Sequence, residues 1–245
     1  MSGATLVGKV SGDAVTLSTN GATGTFADKT VGTGKTVTVS GCTISGADSG
    51  NYTLTQPTTT ANITAKGLTV TGITASNKVY DGGTNATINV ASAALSGVVS
   101  GDTVNLDTNS ATGAFTNKTV GTAKTVNISG LTINGADSGN YTLTQPSTSA
   151  NITAATLTVT GITANNKQYD GGTNATLNTG SAALSGVVSG DTVNLGTGSA
   201  TGAFTNKTIG TGKLVNVSGL TISGADSGNY SLTHPRRTRT SPPRT

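Results

Sequence analysis

The chain has 245 residues, of which 33% are hydrophobic, 10% charged and 3% aromatic; it has 35 Gly, no Trp and no Glu, so all ten acids are Asp. Its formal net charge of +4 comes entirely from four Arg after position 233, since the ten Lys of the rest balance the ten Asp, and this excludes a basic nucleic-acid-binding body. A single Cys42 excludes an internal disulfide framework, and no apolar run approaches the ~20 residues of a membrane-spanning helix.

What remains is Thr, Ser, Asn and Gly around short apolar alternations. Thr alternating with Val, Ile or Leu suits strands with one buried face, and Gly and Asn suit the turns between them. The alternation is regular at Leu68-Thr69-Val70-Thr71, Thr125-Val126-Asn127-Ile128 and Leu157-Thr158-Val159-Thr160. A disordered low-complexity chain lacks such a pattern, so the chain is read as folded, with thin cores.

From the N-terminus onward the chain repeats itself. Gly46-Ala47-Asp48-Ser49-Gly50-Asn51-Tyr52 returns at Gly135 to Tyr141 and at Gly224 to Tyr230, in steps of 89 residues without insertions. Gly12-Asp13 recurs as Gly101-Asp102 and Gly190-Asp191, and Tyr80-Asp81-Gly82-Gly83 as Tyr169 to Gly172. The first copy, 1–65, starts within the module, because Ala4-Thr5-Leu6 aligns with Ala93-Ala94-Leu95 and its Tyr-Asp-Gly half has no counterpart. Cys42 stands where the other copies have Leu131 and Leu220, so it is expected to act as a small apolar residue.

The complete copy, 66–154, is expected to hold strands at 68–74, 86–90, 102–106, 114–115, 125–129, 141–144 and 150–153. Turns at 81–83, 117–118 and 135–140 separate them, and 91–99 is the one stretch that could form a short helix. The fold class is therefore mostly β: tandem small β-rich modules, sandwich-like or β-grasp-like with a short helix, in an elongated array. An 89-residue period is too long for a solenoid coil of about 20–45 residues. No linker separates Ala154 from Leu157, so hinge freedom between modules should be limited.

The eight aromatics fall into three columns: Phe26, Phe115 and Phe204; Tyr52, Tyr141 and Tyr230; Tyr80 and Tyr169. They are expected to anchor the module cores. The third copy, 155–233, runs into a tail, 234–245, that holds all four Arg and His234. A one-base deletion in the codon for a Gln matching Gln145 converts it to His and places the Arg-, Ser- and Pro-rich tail over codons for the sequence seen at 146–155. The tail is read as frameshifted and the third module as lacking its last strand. Both ends then suggest a fragment of a longer gene, and any export signal would lie outside this sequence.

No constellation for catalysis emerges. General acid–base and nucleophilic chemistry need tuned clusters, yet His234 lies in the tail and Cys42 is unrepeated. The Asp columns Asp13/Asp102/Asp191, Asp48/Asp137/Asp226 and Asp81/Asp170 all adjoin Gly and are expected to close Asx-type turns, with calcium as the alternative. Weaker signals are the Asn-x-Ser/Thr sequons at Asn51, Asn85, Asn127 and Asn140, the Thr-x-Thr strands, and a Lys–Asn isopeptide bond at Lys118 or Lys124. The sequence assigns no catalytic, cofactor-binding or metal-binding residue.

Tyr80-Asp81-Gly82-Gly83-Thr84, Leu95 to Val104 and Gly135 to Tyr141, in this order, resemble the YDG-type repeat of large bacterial surface and secreted proteins that are themselves similar to filamentous haemagglutinins. The resemblance covers 1–233. It implies stalk or spacer repeats of an extracellular or outer-surface adhesin, with no enzymatic activity, no cofactor and no nucleic-acid or small-molecule partner. The alternative function is weak multivalent binding of a host glycan or protein by the modules.

Overall fold

The computed structural model describes residues 3–234, and the backbone of residues 236–241. Among them the regular structure is strand, apart from three single-turn 3-10 segments at Ser49–Asn51, Ser138–Asn140 and Ser227–Asn229. Each expected strand of the middle copy has a strand in its place, with shifted bounds. The stretch 91–99 forms no helix: it holds the strand Ala94–Ser96 between turns. Its Ala-rich sequence gave the ambiguity, and sheet pairing overrides a weak local helix preference.

The chain forms two compact units, and their boundaries do not follow the 89-residue repeat. One comprises Met1–Val70, Leu95–Asp107 and Thr132–Thr144; the other comprises Thr71–Ala94, Thr108–Leu131 and Gln145–Thr245. The middle copy is divided between them. A compact unit therefore combines parts of successive copies, which the expectation of self-contained modules did not foresee.

In the first unit, Gly32–Ser40 lies between Thr23–Phe26 and Thr58–Ile63 in an antiparallel sheet. Asn105–Asp107 and Thr132–Asn134 form an antiparallel ribbon, and Tyr141–Leu143 runs parallel to the start of Lys66–Thr71. Along Gly32–Ser40 the buried residues are Val37 and Val39, two apart, with exposed Thr between them. That is the period of a strand with one buried face.

The second unit is built on a five-stranded sheet in the order Lys78–Val79, Ser147–Thr153, Gly121–Ser129, Thr112–Phe115, Asn85–Ala86. A four-stranded sheet repeats the pattern with Asn174–Ala175, Thr201–Phe204, Gly210–Ser218 and Arg236–Ser241. A third sheet seats Ala155–Thr160 between Ala183–Ser185, antiparallel, and Tyr230–Thr233, parallel. Its core gathers Tyr80, Phe115, Val126, Ala150, Ile152, Leu157 and Tyr230 in one cluster, and Val159, Ile162, Val217 and Leu220 in another. Cys42, Leu131 and Leu220 are all buried, so the cysteine takes the apolar place expected of it.

The third copy does not lack its last strand. Arg236–Ser241 pairs with Gly210–Ser218 in the register that Ser147–Thr153 adopts against Gly121–Ser129, with Lys213 opposite Arg239 as Lys124 is opposite Ala150. Strand pairing uses backbone groups, so an altered side-chain sequence still supplies donors and acceptors to the ladder. What the tail does lose is a glutamine clamp. The Gln56 side chain accepts from the Cys42 N–H at 3.0 Å and donates to its carbonyl at 2.9 Å, and Gln145 does the same at Leu131. The corresponding residue of the third copy is His234.

Each long central strand carries a bulge at the same place, between Gly32 and Lys35, Gly121 and Lys124, and Gly210 and Lys213. The bulge needs a left-handed residue: Gly34 has φ 61° and Gly212 has φ 62°, but the middle copy places Ala123 there with φ 49°. A Cβ in this conformation is strained. Ala123→Gly is therefore expected to stabilise the chain by about 0.5–1 kcal/mol, whereas Leu157→Ala, at a fully buried position, should cost about 2–5 kcal/mol. Urea unfolding followed by circular dichroism checks both, and destabilisation by Ala123→Gly would contradict the strain.

Candidate functional site

The recurring Asp, Tyr, Lys and Asn columns meet at one kind of place, where one copy's central sheet packs against the Gly-Ala-Asp-Ser-Gly-Asn-Tyr segment of the next. In the second unit Asp191 lies at its centre, with a side chain only 2% exposed. Its Oδ2 accepts from the Tyr230 hydroxyl at 2.6 Å and from the Tyr80 hydroxyl at 2.7 Å, and its Oδ1 receives Lys118 Nζ at 2.9 Å. Tyr230 belongs to the same copy as Asp191, whereas Tyr80 and Lys118 belong to the preceding one. The two rings meet edge to face, 5.4 Å apart, and Lys118 lies 5.9 Å from the Tyr80 ring centre.

Backbone groups complete the joint. The Val188 N–H donates to the Tyr230 oxygen at 3.0 Å, and the Val120 N–H donates to Asn229 Oδ1 at 3.0 Å. The short 3-10 turn Ser227–Asn229 fixes that asparagine, which is buried. Asp226 accepts from the Thr192 N–H at 2.8 Å, tying the loop before the turn to the loop after Asp191.

The first unit repeats the arrangement one period earlier. Lys29 Nζ reaches Asp102 at 2.6 Å and Asp137 at 2.9 Å, the Tyr141 hydroxyl donates to Asp102 at 2.6 Å, and the Val31 N–H donates to Asn140 Oδ1 at 2.9 Å. The counterpart of Tyr80 is missing here, since that position precedes residue 1. Within the first copy the smaller tie is kept: Tyr52 donates to Asp13 at 2.6 Å, and Asp48 accepts from the Ala14 N–H at 2.8 Å.

These contacts set the titration of the groups. Hydrogen bonds from Tyr230, Tyr80 and then Lys118 hold the Asp191 carboxyl down to about 2. Burial, and next the hydrogen bond to Asp191, pushes the Tyr230 phenol up to about 12. Lys118 is raised above the ordinary lysine range, first by Asp191 and then by Tyr80. A carboxylate held this low is a poor proton acceptor, and a lysine held this high is a poor nucleophile. The arrangement is chemically suited to tying two strands of structure together.

The sequence-based assignments divide by column. Asp81 and Asp170 do close Asx turns, accepting from the Gly83 and Gly172 N–H groups at 2.9 Å, and each also pairs with a lysine, Lys78 or Lys167. The other two columns act at long range: Asp102 and Asp191 bind tyrosine and lysine, and Asp137 and Asp226 bind backbone about 34 residues earlier. Lys118 is in the joint, while Lys124 hydrogen-bonds Asn117 and Thr119. Of the four sequon asparagines named above, Asn140 is engaged by the Val31 N–H. Among the described residues no three His, Cys, Asp or Glu side chains gather as they would around a metal ion.

The aromatic columns also divide. Phe115, Phe204, Tyr141, Tyr230 and Tyr80 are buried, but Tyr169 is 38% exposed. The Tyr80 column anchors to the following copy rather than to its own, and the same step from Tyr169 runs beyond residue 245. No local pattern announces a partner 111 residues away, so this role could not be read from the motif itself.

The YDG domain matches residues 1–61, 64–150 and 153–239. The chain belongs to the YDG domain family. No curated protein and no solved structure matches it. Within this YDG chain the tyrosine of the motif, where it is buried, is the residue that reaches the next repeat, and the glycine after its aspartate lets the backbone approach. Gly82 has φ +79°, and a Cβ there would lie 2.7 Å from a methyl of Val188.

The joint predicts two measurable asymmetries. Tyr80→Ala should cost about 3–5 kcal/mol, the range of a buried aromatic, while Tyr169→Ala should stay within about 0.5 kcal/mol of the parent; equal losses would contradict the assignment. For pH, Asp191 has a folded value below its ordinary 3.8, so the stability it contributes is present above that value and is lost as pH falls towards about 2. Tyr230 has a folded value above its ordinary 10, so its contribution is present below 10 and is lost as pH rises towards about 12. Asp191→Asn should flatten the acid limb of a stability–pH curve and bring one tyrosine titration, read by tyrosinate absorbance, towards pH 10.

Proposed function

We propose that the chain is a run of structural spacer repeats from a bacterial surface or secreted adhesin, which hold a binding region of the parent protein away from the cell. The observation that carries this reading is the recurrence of the inter-repeat joint. The charged and hydroxyl-bearing columns that could recognise a ligand are engaged by neighbouring repeats, at matching atoms one 89-residue step apart. Low charge and Thr-rich strands suit a surface that adheres to little by itself. In this reading the chain has no enzymatic activity, and host glycans or proteins are met by other parts of the parent at the outer surface or outside the cell.

An array with one repeated joint should tolerate loss of a whole period. Deleting residues 66–154 brings Lys29 opposite Asp191 and Asp226, the same columns that it meets as Asp102 and Asp137. The shortened chain is expected to fold with a melting temperature within a few degrees of the parent. On glycan and host-protein arrays the 245-residue chain should show no saturable binding. Saturable binding that is lost when exposed loop residues are substituted would overturn the spacer reading in favour of adhesive modules.

A further inference from the structure

The repeats allow a seat that is filled in two copies to be compared with the same seat in the first. In the third copy Ala155–Thr160 lies between Tyr230–Thr233 and Ala183–Ser185, with Ala155 beside Tyr230, Leu157 beside Leu232 and Val159 opposite Leu184. Leu157 and Val159 are 0% and 2% exposed, within clusters that include Leu184, Leu195, Leu220, Ile222 and Leu232. In the second copy Lys66–Thr71 takes the same place, with Lys66 beside Tyr141 and Leu68 beside Leu143, and Leu68 is likewise fully buried.

In the first copy these columns line a groove of ≈ 410 Å³, whose apolar walls include Leu6, Leu17, Cys42, Ile44 and Leu54, with Tyr52 at one side. They correspond one for one to Leu184, Leu195, Leu220, Ile222, Leu232 and Tyr230, two periods on. Tyr52–Leu54 is the counterpart of the parallel neighbour strand, and among the described residues no strand pairs with it. Val7, at the counterpart of the antiparallel neighbour, is 94% exposed.

We propose that this groove is a strand-acceptor site for a segment of another YDG repeat with the pattern Leu-Thr-Val-Thr. The register follows from the filled copies. The residue in the position of Lys66 lies beside Tyr52, the leucine beside Leu54, and the valine opposite Leu6. Backbone hydrogen bonds along both edges supply affinity, and the alternate apolar side chains supply selectivity, as in other cases of strand addition. The occupant is a repeat segment because the walls are those that already enclose such a segment twice in this chain.

The test uses the full 245-residue chain and a labelled synthetic peptide with the sequence of residues 65–73, followed by fluorescence anisotropy. Saturable one-to-one binding is expected, with at least a tenfold loss for the peptide carrying Leu68→Asp and Val70→Asp. Cys42 gives a second readout without any substitution in the protein. It is the only cysteine and lines the groove, so the native peptide should slow its alkylation several-fold and the double-Asp peptide should not. Failure of the native peptide to bind, or equal binding and equal protection by both peptides, would overturn the proposal.

Discussion

A carboxylate nearly removed from water must have its lone pairs satisfied, and the buried Asp191 meets this demand by drawing donors from two repeats. Tyr230 comes from its own copy, and Tyr80 and Lys118 come from the copy before. Removing any one donor leaves the others closing on an under-satisfied charge, which is why such groups are costly to break once formed. The joint thus couples the folding of successive repeats, and the second compact unit is built around it.

The need for sharing follows from composition. With one third of its residues hydrophobic and three aromatics per full period, a YDG repeat has little apolar surface with which to close a core alone. The core of the second unit accordingly joins Tyr80, Phe115 and Val126 of one copy to Leu157 and Tyr230 of the next. This resembles the energetics of repeat proteins, in which interface terms between neighbours contribute as much as intrinsic module stability. It differs in that each repeat here is itself divided between compact units.

The same logic accounts for residues that look equivalent in sequence but behave differently. Tyr80 and Tyr169 carry the same motif, yet only Tyr80 has a following copy in the sequence to receive it. Leu54 and Leu232 occupy one column, and only Leu232 has a strand seated beside it. In both pairs the residue is the same and the neighbouring repeat makes the difference.

The sequence by itself determined the 89-residue period, the β class, the approximate strands of the middle copy, the Asx turns at Asp81 and Asp170, and the apolar role of Cys42. All of these depend on patterns within a few residues or on exact repetition along the chain. Only the tertiary structure decided that Tyr80 anchors to the next repeat, that Asp102 and Asp191 are tied by phenols and lysines, and that Arg236–Ser241 completes a sheet despite its altered sequence. These depend on contacts between residues roughly 40 to 110 positions apart, and on backbone pairing that is indifferent to side chains. Neither leaves a local trace in the order of amino acids.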